Sequence, residues 1–86
     1  MFYVYVLYSL KFDRTYTGLT INVVRRLSEH NNRKNKSTKA YVPWQLIYVE
    51  ECNTRKEARA REKYLKSGIG REFINKIIIR PRGATE

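Results

Sequence analysis

The chain has few of the residues that crosslink small extracellular domains or hold structural metals. Its 86 residues include one cysteine and one histidine. Cys52 therefore cannot form an internal disulfide, and no second Cys or His is present to complete a zinc site. The N-terminus also lacks the leading charges and small-residue cleavage site of a signal peptide. We expect a reduced, cytoplasmic protein that is held together by packing.

Acidic residues and long apolar runs are also scarce. Eight Asp and Glu stand against eighteen Lys and Arg, so the net charge is +10. A positive charge of this size favours a polyanionic partner such as DNA, RNA or an acidic membrane. Ribosomal and other small basic proteins have a similar charge, so it does not by itself identify the partner. No apolar run approaches the roughly 20 residues of a membrane span. We expect one domain over residues 1–79 and a polar C-terminal tail over 80–86.

Three apolar runs predict the strands of a small sheet. The run from Phe2 to Tyr8 is continuously apolar, which is typical of a strand covered on both faces, and its odd and even residues should face opposite sides. Residues 14–19 should pair with it as a hairpin that ends near Gly18, where a side chain would crowd a turn or a ligand. Residues 45–51 give the third strand.

Capping signals predict three helices. Asn22 is a good N-cap for a helix near 22–32, with Val23, Leu27 and Val24 as its buried stripe. The run Thr54 to Glu57 matches a capping box for a helix over 54–67, which Gly68 should end. A third helix is expected near 70–78, although residues 77–79 also fit a strand. The predicted fold is α/β, a three-stranded, mostly antiparallel sheet flanked by helices.

One carboxylate lies where a helix should pack. Glu62 is four residues after Ala58 and three before Leu65, so it points toward the packed side, where an unpaired carboxylate is costly. An ion pair with Arg26, Arg61 or Lys66 would explain it. The alternative is a divalent-metal ligand, since Mg²⁺ commonly uses one carboxylate with waters and phosphate.

Two tyrosines, an arginine and a histidine are concentrated near the N-terminus. Arg26 and His30 are four residues apart and share a helix face, which is usually a solvated face. Tyr5 and Tyr16 fit ordinary strand packing, because the chain has seven tyrosines and tyrosine favours strands. Each residue alone is weak evidence of function, and the combination is stronger.

The spacing of these residues resembles the GIY-YIG nuclease superfamily. The chain is most similar to its small single-domain bacterial branch, the UPF0213 or Slx1-like proteins, from Phe2 to about Asn75. The similarity rests on Tyr-Val-Tyr, then Tyr-Thr-Gly-Leu-Thr, Arg-Arg-Leu-x-x-His, Pro-Trp-x-Leu-Ile-Tyr-x-Glu, and Glu-Ala-x-x-Arg-Glu-x-x-Leu-Lys. Two departures are Tyr3-Val4 in place of Gly-Ile, and Thr17 in place of isoleucine. Both leave the tyrosines in place.

The resemblance implies a catalytic set of five residues: Tyr5, Tyr16, Arg26, His30 and Glu62. In that reading the arginine binds the phosphate, a tyrosine deprotonates water with help from the histidine, and the glutamate holds a single Mg²⁺ or Mn²⁺. Asn75 is a weak further candidate. We expect the five to line one concave surface; a Glu62 side chain on the opposite side of the sheet from Tyr5 would end the nuclease hypothesis. A phenol that titrates near pH 10 needs its pKa lowered by the arginine and the metal.

Basic residues outside this set should contact the nucleic-acid backbone without reading sequence. The predicted contacts come from a loop and from the second helix: Arg33, Lys34, Lys36, Lys39, Arg55, Lys56, Arg59 and Lys63. The leading hypothesis is a metal-dependent endonuclease of DNA repair or recombination type, directed by structure rather than sequence. The alternatives are a non-catalytic nucleic-acid-binding module and a subunit active only with a protein partner.

Overall fold

A computed structural model of the chain describes residues 1–78. The predicted tail at 80–86 lies outside the described residues, as does Ile79. In chain order the elements are β1 (Phe2–Ser9), β2 (Arg14–Thr20), α1 (Val23–Asn31), a 3₁₀ helix (Lys39–Tyr41), β3 (Gln45–Cys52), α2 (Arg55–Leu65) and α3 (Gly68–Ile77). No helix within residues 1–78 is long and apolar enough to cross a membrane.

The three strands form one antiparallel sheet in the order β2-β1-β3. The continuously apolar strand β1 is the central one, as its sequence predicts. Its register places Tyr5 opposite Gly18 on β2 and opposite Val49 on β3. Directly opposite residues project to the same face, so Gly18 lies beside the Tyr5 side chain.

The odd and even residues of β1 belong to two separate cores. Val4, Val6 and Tyr8 pack with side chains from α2 and α3, including Ala58 and Leu65. On the other face, Tyr5 and Leu7 pack with Trp44, against partly buried side chains that include Leu27 of α1. The helices α1 and α2 therefore cover opposite faces of the sheet, as the period of two in β1 requires.

The buried stripe of α1 differs from the predicted one. Val24 is 82% exposed, so its assignment to the stripe is wrong, whereas His30 is fully buried. Val23, Leu27 and His30 follow the spacing i, i+4, i+7 that puts residues on one helix face. The inward-facing position in the last turn of α1 is thus filled by the polar imidazole of His30, where an apolar side chain is usual.

Two of the predicted boundaries are also wrong. The strand β2 does not end at Gly18 but continues to Thr20. The glycine at residue 68 does not end α2, which stops at Leu65; it is the first residue of α3, and the Ser67 side chain caps that helix. The predicted caps of α1 and α2 are confirmed, since Asn22 accepts from the Arg25 amide at 3.0 Å and Thr54 from the Glu57 amide at 3.1 Å.

Candidate active site

A buried hydrogen bond joins the central strand to the end of α1. The Tyr5 hydroxyl lies 3.0 Å from Nε2 of His30, and the two side chains are 2% and 0% exposed. A core that needed only packing would fill both positions with apolar groups, because a buried polar pair gains little over them. The pair is therefore the first structural sign of chemistry at this site.

The second nitrogen of His30 fixes the direction of that hydrogen bond. Nδ1 lies 2.7 Å from Oγ1 of Thr38, which is itself fully buried and lies 3.5 Å from the carbonyl oxygen of Asn35. Since the Thr38 hydroxyl donates to that carbonyl, it accepts from Nδ1–H, and Nε2 is left to accept from Tyr5. Burial lowers the pKa of His30, the charge of Arg26 lowers it further, and Glu29 partly opposes them. His30 is thus held as a neutral acceptor for the tyrosine proton.

Tyr16 and Gly18 on β2 shape the space around this pair. The half-buried Tyr16 ring lies 4.9 Å from the His30 ring and 6.3 Å from the Tyr5 ring, between centroids. A Cβ atom at Gly18 would lie 2.5 Å from the Tyr5 hydroxyl oxygen. Gly18 therefore marks the close approach of a ring rather than a turn, and it leaves the edge of the sheet open beside the hydroxyl.

Arg26 lies next to the pair and is held by Glu29, which is outside the predicted catalytic set. Its Nη1 donates to Oε1 of Glu29 at 2.9 Å, and the two side chains are 30% and 33% exposed. The hydrogen bond to Glu29 raises the pKa of Arg26, and interaction with Tyr5 adds to it. The guanidinium is thus oriented, permanently charged and open to solvent, as binding of a phosphate requires.

The Tyr5 hydroxyl has a raised pKa in this site. Burial raises the pKa of Tyr5 to about 12; the charges of Tyr16 and Glu62 add to the rise, and Arg26 opposes it. Arg26 lowers the pKa of Tyr5 as expected, but burial raises that pKa by more. The phenol therefore keeps its proton near neutral pH unless the proton moves to His30 as the reaction proceeds.

Glu62 meets the expectation for the site only in part. It belongs to α2, which covers the face opposite Tyr5, and it lines a depression with Arg59 and Lys63, whereas Arg26 lines another with Arg25 and Glu29. Its charge raises the pKa of Tyr5, so the carboxylate lies close enough to act on that hydroxyl. For Glu62 the prediction of one concave surface is supported by the effect of its charge on Tyr5, and it stays a prediction.

The environment of Glu62 fits an ion that takes one protein carboxylate. Its side chain is 20% exposed and lies 3.3 Å from Nζ of Lys66, the partner that the sequence offered as one explanation. Arg61, another offered partner, pairs with Glu50 at 3.1 Å instead. Within residues 1–78 no three His, Cys, Asp or Glu side chains group to hold a metal. Mg²⁺ or Mn²⁺ with waters and a substrate phosphate suits such a carboxylate, and a zinc cage does not.

The remaining predicted residues lie on the surface. Asn75 is exposed on α3. The eight basic residues predicted to contact nucleic acid are also all exposed. They fall into two groups, because the loop after α1 is anchored through Thr38 on the Tyr5 face and α2 covers the other face.

Three positioning residues were missed by the sequence analysis: Glu29, Asn31 and Thr38. Glu29 holds Arg26, and its spacing of i+3 from that arginine was the available signal. The Asn31 amide accepts from the Trp44 backbone amide at 2.6 Å and donates to the Trp44 carbonyl at 3.0 Å. Residues 33–38 are all polar or basic, so nothing in their composition distinguishes buried Thr38 from the rest of the loop.

Comparison with known proteins gives the class of protein that this fold and site define. A family model described as the GIY-YIG catalytic domain matches residues 1–75. The chain therefore belongs to the GIY-YIG family, a family of nucleases whose members generally use divalent metals. The match contains every predicted catalytic residue and Asn75.

The similar individual proteins are UPF0213 proteins, a name that states no activity. One from Clostridium perfringens is 40% identical over 67 residues, which cover 77% of this chain and 71% of that protein. One from Desulfotalea psychrophila is 42% identical over 53 residues, 59% of this chain and about half (48%) of that protein's length. The solution NMR structure of a UPF0213 protein from Bacillus halodurans matches with a TM-score of 0.52 and 31% identity, over 90% of this chain and 85% of that one.

Proposed function

We propose that the protein is a metal-dependent endonuclease that hydrolyses phosphodiester bonds in DNA, directed by the structure of the substrate rather than its sequence. The observation that carries the proposal is the buried Tyr5–His30 hydrogen bond beside the oriented guanidinium of Arg26. Membership in a nuclease family supports the reaction class. A role in repair or recombination and a cytoplasmic location remain predictions.

Arg26 has the first role in this mechanism. Negative charge grows on the non-bridging oxygens when water attacks the phosphorus, and a planar guanidinium can donate two hydrogen bonds to two such oxygens. Glu29 keeps Arg26 in one orientation at 2.9 Å, so little is lost in ordering the side chain when the phosphate arrives.

Tyr5 and His30 move the proton of the attacking water. The tyrosine oxygen takes that proton while its own proton passes to Nε2 of His30 over the 3.0 Å hydrogen bond. A coupled transfer avoids a free phenolate, which a pKa of about 12 makes unfavourable. Nδ1–H remains bonded to Thr38, so the imidazole does not rotate as it becomes charged.

Glu62 would hold the divalent ion that the family generally uses. Such an ion supplies positive charge to the leaving 3′ oxygen. The chain itself contributes a single, largely shielded carboxylate that is paired with Lys66. Glu62 therefore provides one anchor point, and the other ligands would come from water and the substrate.

A cleavage assay over single strands, duplexes, flaps and branched junctions tests the proposal. We expect cleavage in Mg²⁺ or Mn²⁺ that stops with EDTA and with Glu62→Ala. The matched control is Glu72→Ala, which removes an exposed carboxylate from α3 and should cleave as the wild type does. Cleavage that survives Glu62→Ala unchanged would come from a contaminant or from a different metal site.

The second candidate is a nucleic-acid-binding module that does not cleave by itself. The ion pair of Glu62 with Lys66 favours this alternative, because it already neutralises the carboxylate that would hold the metal. Binding without cleavage of any substrate in the assay would support it. Cleavage that appears only when a cell fraction is added would instead identify a subunit that needs a protein partner.

A further inference from the structure

We propose that the tip of the β1–β2 hairpin stacks an unpaired nucleobase of the substrate. The inference rests on the proposed function and adds to it a surface that would select single-stranded or branched nucleic acid. The surface consists of Phe12 and Tyr41 with two cations beside them, Lys11 and Arg14; we call it the aromatic platform. None of the platform residues belongs to the catalytic set.

The rings of the platform are exposed and surrounded by positive charge. Phe12 is 43% exposed and meets half-buried Tyr41 edge to face, with centroids 5.5 Å apart. Nζ of Lys11 lies 5.5 Å from the centre of the Phe12 ring, and Cζ of Arg14 lies 4.3 Å from the centre of the Tyr41 ring. A hairpin tip has no packing need for a phenylalanine, and polar residues are usual there.

A continuous series of rings connects the platform to the candidate active site. Tyr41 lies 6.4 Å from Trp44, Trp44 lies 6.5 Å from Tyr16, and Tyr16 lies 4.9 Å from His30, between ring centroids. The Phe12 and Tyr41 rings are a further 5.5 Å apart. The whole path from Phe12 to Tyr16 is therefore at most about five times the ~3.4 Å rise between stacked bases. A strand cleaved beside Tyr16 can therefore reach the platform within a few nucleotides.

The chemistry of the platform favours nucleic acid over other partners. An aromatic face accepts any unpaired base, while adjacent cations neutralise the backbone phosphates. Bases inside a duplex cannot offer their faces, so stacking would distinguish unpaired from paired nucleotides without reading sequence. An acidic membrane surface could also attract Phe12 and exposed Leu10, and the experiment includes it as a competing outcome.

The test compares Phe12→Ala with a control variant that has nearly the same local geometry. Phe73 is 38% exposed and meets Tyr48 edge to face at 5.3 Å, on the other helix layer. Binding of the full chain is measured by fluorescence anisotropy in EDTA, which prevents cleavage. The probes are a mixed-sequence single strand, the same strand with abasic sites, a blunt duplex, and vesicles of anionic phospholipid. Thermal melts confirm that each variant is folded.

We expect Phe12→Ala to weaken binding of the base-bearing single strand at least about 5-fold, the lower end for loss of one stacked base. Its affinity for the abasic strand and the duplex should stay unchanged, as should the slope of log affinity against log salt. Phe12→Tyr should restore binding, and Phe73→Ala should bind as the wild type does.

Three results would overturn the inference. These are equal losses on base-bearing and abasic strands, unchanged binding of every nucleic acid by Phe12→Ala, and a loss confined to vesicles. In all three the proposed nuclease function can still hold, because cleavage and its dependence on Glu62 are measured separately. Absence of binding to any nucleic acid by the wild type would remove both proposals.

Discussion

Replacement of Gly18 by alanine should disrupt the Tyr5–His30 hydrogen bond from the neighbouring strand. The new Cβ would lie 2.5 Å from the Tyr5 hydroxyl oxygen, 2.6 Å from Cζ of the same ring and 3.0 Å from Cε2 of Tyr16. Ordinary contact begins at 3.4 Å, so the hydroxyl must retreat by about 0.9 Å, the difference between 3.4 and 2.5 Å. Tyr5 is 2% exposed and packs in one cluster with Leu7 and Trp44, which leaves its ring little room.

Two costs combine in this variant. Overpacking of a filled core costs about 1–3 kcal/mol, and a buried hydroxyl that loses its partner costs about 1–3 kcal/mol more. Together they should lower the free energy of unfolding of Gly18→Ala by about 2–6 kcal/mol. In a domain of this size that corresponds to a Tm lowered by roughly 10 °C or more. Thermal unfolding followed by circular dichroism measures this, and NMR of the His30 ring protons reports the hydrogen bond.

Gly68→Ala is the matched control, because a Cβ there meets nothing within 4 Å. It should be neutral, or stabilising by about 0.4–1 kcal/mol through the unfolded state. If Gly18→Ala proves as stable as Gly68→Ala and its His30 signals are unchanged, the Tyr5 ring has more freedom than the packing implies. Gly18 would then have no positioning role.

Three further predictions concern the site and its surroundings. Arg26→Lys should reduce single-turnover cleavage at saturating substrate about 10²-fold, because lysine keeps the charge but lacks the planar guanidinium that donates two hydrogen bonds. The control Arg25→Lys should cleave at the wild-type rate. Equal rates for the two variants would remove Arg26 from the site. Burial lowers the pKa of His30 below its ordinary 6.5, so the unfolded state binds more protons there and stability should fall as the pH drops below about 6.5. A pH titration of thermal stability checks this, and an equal slope in His30→Gln would contradict it. Charge reversal at Lys34, Lys36 and Lys39, in the loop after α1, should weaken binding of unrelated DNA sequences by similar factors. A loss of affinity for some sequences only would mean that this loop reads bases.

Local patterns were sufficient to predict most of the fold. The alternation within residues 2–8 correctly separates the two cores, because a strand projects successive side chains to opposite faces. The N-caps Asn22 and Thr54 were predicted correctly, since capping depends on side chains only three residues away. The Glu57 half of the capping box differs, because its carboxylate accepts from the Asn53 amide at 3.4 Å.

The contacts that assemble the site depend on tertiary structure. The spacing of His30 from Arg26 is by itself typical of a solvated face, although its spacing from Val23 and Leu27 fits the buried stripe. The role of Gly18 follows from its register opposite Tyr5, which neither local sequence shows. Thr38 is buried, and both His30 and the Trp44 indole, which donates to the Thr38 carbonyl at 2.9 Å, lie against it. Such contacts join residues far apart in sequence, and no local pattern contains them.

The two anchors of the loop after α1 make its exposed part replaceable. Asn31 holds one end against the Trp44 backbone and Thr38 holds the other against His30, so the exposed side chains of Arg33, Lys34 and Lys36 can change without moving the imidazole. Doubling the length of a flexible loop costs only about 0.6 kcal/mol in closure entropy. This segment is therefore a natural place for insertions, and related or engineered chains could acquire a new binding specificity there while keeping the same chemistry.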